Sequence, residues 1–242
     1  LYFAAHGGAN IGNELWRINT AGVAVLVEDS VPGGGIQPGY ASSNPANLTD
    51  VGGTLFFSAD DGTRGIELWR INSGGTAEIV EDIIPGGGIA PGNGSASPAQ
   101  LTNMNGTLYF TAVEPTNGLE LWRVGGSGIA QLVEDAVPGG GISPEFASSS
   151  PVKLTNSNGV LYFQANDGTN GVELWRVNGL GVAEMVDDAV PGDGIETGSM
   201  PSNPTSMTVV GDTLYFTAND GTNGIELWRK DSTGVAELVE DS

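Results

Sequence analysis

Five tryptophans divide the chain at a constant interval of 53 residues, and this spacing constrains the fold more than any other feature. Each lies in the same Glu-Leu-Trp-Arg tetrad, from Glu14–Arg17 to Glu226–Arg229. A repeat of this length, carried on short apolar runs rather than helical patterns, is typical of propeller blades or of a β-solenoid. The tryptophans that mark the repeats are Trp16, Trp69, Trp122, Trp175 and Trp228.

Each repeat is predicted to form four antiparallel strands. In the second repeat these are residues 45–51, 54–59, 66–71 and 76–81, separated at Asp61-Gly62 and Ser73-Gly74-Gly75 by residues that favour hairpin turns. A segment rich in proline and glycine follows, as from Val31 onward, and its composition argues against a helix or a central strand. We interpret it as the connection from the outer edge of one sheet to the inner edge of the next.

The pattern predicts an all-β fold, a five-bladed β-propeller of four-stranded antiparallel blades, with an open solenoid-like array as the alternative. The chain is expected to form a single repeat domain, 1–242, with units at about 1–30, 31–83, 84–136, 137–189 and 190–242. Five meanders are present but only four first strands, so the blade at the seam is predicted to lack one strand. Because unpaired strand edges are seldom left bare, another segment or chain fills this position, or the chain is part of a longer protein.

Composition limits the function classes. With 29 acidic and 8 basic residues, the net charge of -21 repels nucleic acid and anionic membranes. The absence of cysteine excludes disulfides and thiolate chemistry, and no run of about 18 apolar residues is present to span a bilayer. The 39 glycines punctuate a chain that still has 39% hydrophobic residues, enough for a packed core. The start at Leu1 suggests a mature or trimmed form.

The repeats resemble a known bacterial family. An Asp-Gly-Thr-x-Gly motif precedes most tetrads and Val-Glu-Asp-x-x-Pro-Gly follows them, which is similar to the ELWxxDGT repeat family of large exported proteins. The similarity covers essentially the whole chain, although after the tetrad only Asp231-Ser232-Thr233 approaches the Asp-Gly-Thr of the family name. The resemblance implies a propeller-like protein that is secreted or on the bacterial cell surface, and it implies no reaction.

The tryptophan and arginine of each tetrad are predicted to be structural. One large ring per repeat is suited to packing one sheet on the next, and a ring of sugar-stacking platforms is the alternative. Each arginine is expected to pair with a carboxylate of the neighbouring fourth strand, such as Glu28 or Glu81, and an anion-binding ring is the alternative. The arginines are Arg17, Arg70, Arg123, Arg176 and Arg229.

The acidic residues recur in two sets. Asp61, Asp167, Asp220 and the corresponding Glu114 lie in turns and are predicted to bond their own backbone. The second set closes the fourth strand and leads, in four copies, into a glycine-rich segment whose free carbonyls, together with the carboxylates, suit a hard cation, so calcium is the candidate metal and no other cofactor is expected. Its members in those four copies are Glu28, Asp29, Glu81, Asp82, Glu134, Asp135, Asp187 and Asp188, and the pair Glu240-Asp241 ends the fifth.

Catalytic groupings are scarce. His6 is the sole histidine, which gives no basis for a histidine-based triad, and repetition of the carboxylates in every copy favours a scaffold over an active site. The sequence therefore predicts a non-enzymatic, exported structural or adhesive module that self-assembles, as a homo-oligomer or fibre, through strand complementation. The alternative is a lectin with one glycan site per blade, and a hydrolase is the least favoured function.

Overall fold

The computed structural model is an all-β protein in which antiparallel strands form five separate sheets. It describes residues 1–8, 10–31, 33–83, 88–90, 94–136, 141–143, 148–188, 194–196, 200–231 and 235–239. No helix occurs in these residues, and none therefore has the length and apolar character needed to cross a membrane. The predicted all-β class and the antiparallel repeat are confirmed.

Each sheet is built from consecutive strands of one repeat, and the first sheet has three strands where the others have four. The sequence predicted this missing strand. The sheets contain β1 (Tyr2–His6), β2 (Asn13–Ile18) and β3 (Ala24–Leu26); β4 (Ala46–Val51), β5 (Thr54–Asp60), β6 (Ile66–Ile71) and β7 (Ala77–Ile79); β8 (Ala99–Met104), β9 (Thr107–Glu114), β10 (Gly118–Val124) and β11 (Ala130–Leu132); β12 (Val152–Ser157), β13 (Val160–Asn166), β14 (Val172–Val177) and β15 (Ala183–Met185); and β16 (Thr205–Val210), β17 (Thr213–Asn219), β18 (Ile225–Lys230) and β19 (Glu237–Leu238).

The fourth strand of each repeat is shorter than predicted. In the second repeat the expected strand 76–81 is reduced to β7, of three residues. Backbone bonds to the third strand continue on both sides of β7, where Asn72 donates to the Thr76 carbonyl (3.0 Å) and Val80 to the Leu68 carbonyl (2.8 Å). The N–H of Ala77 donates to the carbonyl of Glu28 in the preceding repeat (2.9 Å), and the carbonyl of Glu81 accepts from Ala130 in the following one (2.8 Å). The outermost strand thus links neighbouring repeats.

The chain divides into two compact units, residues 1–115 with 123–131, and residues 116–122 with 132–242. In the first unit, Leu15 and Ile36 pack against Phe57 and Trp69 of the second sheet. The division passes through the third sheet, so the expected single repeat domain stays a prediction.

The second unit has the same kind of core. Leu174 and Ile195 pack against Phe216 and Trp228 of the fifth sheet. In each unit, therefore, a tryptophan fills the space between two consecutive sheets of that unit.

The glycine-rich connections are described only in part. Residues 33–43 of the first connection are all described, but the starts predicted at Ile84, Val137 and Val190 lie outside the described residues. So do Glu240 and Asp241, the final acidic pair.

Candidate functional site

The tetrad tryptophans are buried rather than presented to solvent. Trp69, Trp122, Trp175 and Trp228 are between 3% and 5% exposed, and Trp16 is partly buried. The indole N–H of Trp69 donates to the carbonyl of Ala59 (3.0 Å). Rings this deeply buried pack the sheets and do not offer faces for stacking on sugars.

The tetrad glutamate has a role that the sequence reading did not assign. Glu14, Glu67, Glu120 and Glu173 are completely buried, and we call them the staple glutamates. Each accepts hydrogen bonds from two backbone N–H groups of the connection that follows, 22 and 29 residues further on. For Glu67 these come from Ile89 (2.9 Å) and Ala96 (3.1 Å). One carboxylate therefore holds each connection in place.

The same geometry recurs in the second unit. The N–H groups of Ile195 and Ser202 donate to Glu173 at 3.4 and 2.7 Å, and the Ser202 hydroxyl adds a third bond at 2.5 Å. Gly194, just before Ile195, has φ near +86°, and a Cβ there would lie 2.7 Å from Glu173 Oε2. Glycine is required because the backbone passes directly over the carboxylate.

Burial raises the pKa of three staple glutamates. It moves the pKa of Glu67, Glu120 and Glu173 to about 7, against the opposing effect of the N–H and hydroxyl donors, which favour the ionised form. These carboxyl groups are thus close to titration at neutral pH.

The acidic pairs proposed for calcium contact backbone N–H groups. Glu28 Oε2 accepts from Gly33, Gly34 and Gly35 at 3.0 to 3.2 Å. Burial acts to raise the pKa of Glu28, but the three N–H groups outweigh it and hold that pKa below its ordinary value. Asp29 accepts from Val31 at 2.6 Å.

The other copies make the equivalent contact through Glu81, Glu134 and Asp187, which accept from Gly88, Gly141 and Gly194 at 3.0 to 3.2 Å. Asp82, Asp135 and Asp188 also have interactions in the structure. Within the described part of the chain, no group of three or more acidic or histidine side chains is arranged to hold a metal ion. Calcium stays a prediction.

The turn aspartates have the predicted geometry. Asp61 Oδ1 accepts from the N–H groups of Thr63 and Arg64 at 2.8 and 2.9 Å, and Asp167 accepts likewise from Thr169 and Asn170 at 2.8 Å. These bonds fix the turn before the third strand, as such side chains commonly do. Asp220 makes the same turn, and Glu114 has interactions of its own.

Three tetrad arginines of the described chain form ion pairs with the fourth strand of their own sheet, but not with the residues named from sequence. Arg70 bonds Glu78 at 2.6 Å rather than Glu81, because the strand register places Arg70 opposite Glu78. Arg176 pairs with Glu184 (2.5 Å) and Arg229 with Glu237 (2.8 Å).

Two arginines occur where the fourth strand lacks glutamate. Arg17 faces Val25, and its buried Nε has no hydrogen-bond partner in the described residues. Arg123 has Gln131 at the corresponding sequence position and makes contacts of its own.

A polar cleft of about 430 Å³ lies beside Arg70 in the first unit. Arg70 and Glu78 form one wall, Asp29 and Glu81 another, and the turn at Gly128 closes it, with the Gly128 carbonyl accepting from Arg70 Nη1 at 2.9 Å. The cleft lies open to solvent and combines charged groups with the apolar side chains of Ile79 and Ile129.

The second unit has the corresponding cleft, of about 340 Å³. Arg176, Glu184 and Asp187 occupy the positions of Arg70, Glu78 and Glu81, two repeat lengths further along the chain. Its distinguishing residue is Lys230, which is only 2% exposed and stands two repeat lengths after Val124 of the first unit.

Two features of the sequence indicate these clefts. The acidic residue eight positions after the tetrad arginine recurs at Glu78, Glu184 and Glu237, and Lys230 is the one basic residue at a position otherwise occupied by isoleucine or valine.

Comparisons with known proteins give no family for the chain. No family model matches it, and no curated protein matches it. Among solved structures, it is similar to the BP39L lectin from Burkholderia pseudomallei, with 13% identity over 99% of this chain and 69% of that one, at a TM-score of 0.36. A similarity at this level carries no functional argument, and the resemblance to ELWxxDGT repeats stays a prediction.

Proposed function

We propose that the chain is a non-enzymatic carbohydrate-binding protein with a shallow polar site between neighbouring sheets. The observation that carries the proposal is the recurrence of one cleft in both units, each with an Arg–Glu pair and a further carboxylate at matching positions. A guanidinium beside carboxylates offers donors and acceptors to adjacent sugar hydroxyls. Several weak sites on one chain raise the apparent affinity for a multivalent glycan.

Recognition in these clefts is polar because the indole rings are buried. In the first unit, Ile79 and Ile129 provide an apolar patch against which the C–H face of a sugar ring can pack. Arg70 is held by Glu78 and by the Gly128 carbonyl, so little side-chain entropy is lost when a ligand binds.

A glycan array followed by calorimetry tests the proposal. The double variant Arg70→Met and Arg176→Met is expected to reduce glycan binding at least tenfold. Arg229→Met is the matched control, because Arg229 makes the same ion pair with Glu237 while both side chains are more than half exposed. An array without any binding, or equal binding by the double variant, contradicts the proposal.

A structural or adhesive role through self-assembly is the second candidate. The observation favouring it is the apolar face of β18, where Ile225 is 75% and Leu227 is 43% exposed, although Leu68 and Leu174 at the position of Leu227 are completely buried. Covering such a face with a second copy buries apolar area. Sedimentation should show association that Leu227→Asp abolishes; a monomer at all concentrations contradicts this role.

The proposal includes three further properties. The absence of catalysis is supported by the repeated carboxylates, whose lone pairs are taken up by backbone N–H groups. The resemblance to exported repeat proteins supports an extracellular or cell-surface location.

Calcium binding is supported by the net charge of -21, and a melting temperature that is the same in calcium and in chelator contradicts it.

A further inference from the structure

Lys230 is a charged residue at a core position. The other repeats have Ile18, Ile71, Val124 and Val177 there, and Ile71, Val124 and Val177 are at most 8% exposed. Lys230 is equally buried, at 2%. Removing an ammonium group from water is costly unless an opposite charge or hydrogen-bond acceptors compensate for it.

The other charges of this cleft already have partners. Glu184 accepts from Arg176 at 2.5 Å and from Asn178 at 3.1 Å, and Asp187 accepts from the N–H of Gly194. Lys230 Nζ donates to the backbone carbonyl of Asp231 at 2.5 Å.

Lys230 adds a second positive group to the cleft that Arg176 lines, on the neighbouring sheet. Burial, and then the nearby Arg176, lower the pKa of Lys230, and together they outweigh the opposing effect of the carboxylates of Asp231, Glu184 and Glu237. An ammonium group has three N–H donors, and the structure shows one of them donating to the Asp231 carbonyl.

We propose that the cleft at Lys230 binds an oxyanion, with Lys230 donating to it beside Arg176, and that the oxyanion is the carboxylate of an acidic sugar. The volume of about 340 Å³ is sufficient for a monosaccharide. The oxyanion site is inferred from the residues of the cleft alone, whereas its assignment to a sugar rests on the proposed function.

The two clefts then differ in specificity. In the cleft beside Arg70 the position equivalent to Lys230, two repeat lengths earlier, is Val124, and the arginines of that cleft are paired with Glu78 and Asp61. That cleft is expected to take neutral sugars, while the cleft beside Arg176 selects acidic ones.

Calorimetric titration of the full chain at constant ionic strength tests the inference. The probes are galacturonate, galactose and inorganic sulfate, and the variants are Lys230→Ile and Lys230→Arg. Galacturonate should bind at least tenfold more tightly than galactose. Lys230→Ile should lose that preference, and Lys230→Arg should retain it. Because isoleucine occupies this position in two other repeats, Lys230→Ile is expected to fold, which its melting curve checks.

Each outcome has a separate meaning. Galacturonate binding that is unchanged in Lys230→Ile overturns the inference, as does the absence of binding by both galacturonate and sulfate. Sulfate binding that depends on Lys230 and equals that of galacturonate supports the oxyanion site but assigns it to a free anion. Loss of neutral glycan binding on the array, with Lys230-dependent galacturonate binding intact, contradicts the neutral cleft beside Arg70 and leaves the oxyanion site standing.

Discussion

The clefts beside Arg70 and beside Arg176 share a framework and differ at one buried position. Each has an arginine bonded to a glutamate across the strand ladder, at 2.6 and 2.5 Å. At the position equivalent to Lys230, two repeat lengths earlier in the chain, the first unit has the buried Val124. The repeated residues therefore determine which side chains line the cleft. One variable position determines whether the cleft carries an additional positive charge.

The largest effect is expected from placing the lysine in the first unit. Val124→Lys introduces an ammonium group at a position that is only 2% exposed, and burial of an unpaired charge should lower the free energy of unfolding by about 3 kcal/mol. Urea denaturation measures the loss.

Val124→Ile is the control for this change and should cost about 1 kcal/mol, because isoleucine occupies the same repeat position at Ile18 and Ile71. If Val124→Lys costs no more than Val124→Ile, the two clefts accommodate lysine equally well, and the contrast between them disappears.

The staple glutamates should contribute equally to the two units. Glu173→Ala removes the acceptor of three hydrogen bonds and leaves buried donors unsatisfied, which is expected to cost about 2 to 3 kcal/mol. Glu67→Ala should cost a similar amount. Glu226→Ala is the matched control, because Glu226 has the same tetrad position but is exposed, and its effect should stay within about 0.5 kcal/mol.

Denaturation curves of the three variants decide this prediction. Equal losses for Glu173→Ala and Glu226→Ala would mean that the buried carboxylate does not hold the connection.

Much of the fold followed from the sequence because it depends on local signals. The alternation of apolar residues and the turn residues predicted β6 at 66–71, which the structure reproduces, and the turn at Asp61. The buried position of Trp69 followed from its place once in every repeat.

The site was less predictable because its contacts join residues that are far apart in the chain. Glu67 meets Ile89 and Ala96 across 22 and 29 residues, and no local pattern indicates which N–H groups it will bind. The partner of Arg70 was misassigned to Glu81 because the register of the hairpin, which sets Glu78 opposite the arginine, depends on the turn between β6 and β7.

Stability should depend on pH through the staple glutamates of both units. Burial raises the pKa of Glu67, Glu120 and Glu173 to about 7 from an ordinary value of 4.5. The folded chain therefore binds more protons than the unfolded chain between these values. Their stabilising contribution is complete below pH 4.5 and is lost as the pH rises through 7.

An opposite effect limits stability in acid. The pKa values of Glu28 and Asp61 are lowered where their N–H contacts outweigh burial, so the stability they contribute is lost as the pH falls below their ordinary range. The melting temperature is expected to be highest at about pH 5 and several degrees lower at pH 8. The triple variant Glu67→Gln, Glu120→Gln and Glu173→Gln should show no decline between pH 5 and 8, and a decline equal to that of the parent would contradict this origin.

The smallest effect is expected at the turn beside each cleft. In the first unit Arg64 bonds Asp61 Oδ2 at 2.9 Å, and in the second the amide of Asn170 makes the same bond to Asp167 at the same distance. Because the Arg64 side chain is 41% exposed, Arg64→Asn should change the free energy of unfolding by no more than about 0.5 kcal/mol, and Asn170→Arg should be equally mild. Arg64 also lines the cleft beside Arg70, so calorimetry with a neutral glycan should accompany the denaturation curves. A loss of glycan binding in Arg64→Asn at unchanged stability would show that the two clefts differ at this arginine as well as at Lys230, since the turn itself is maintained by either side chain.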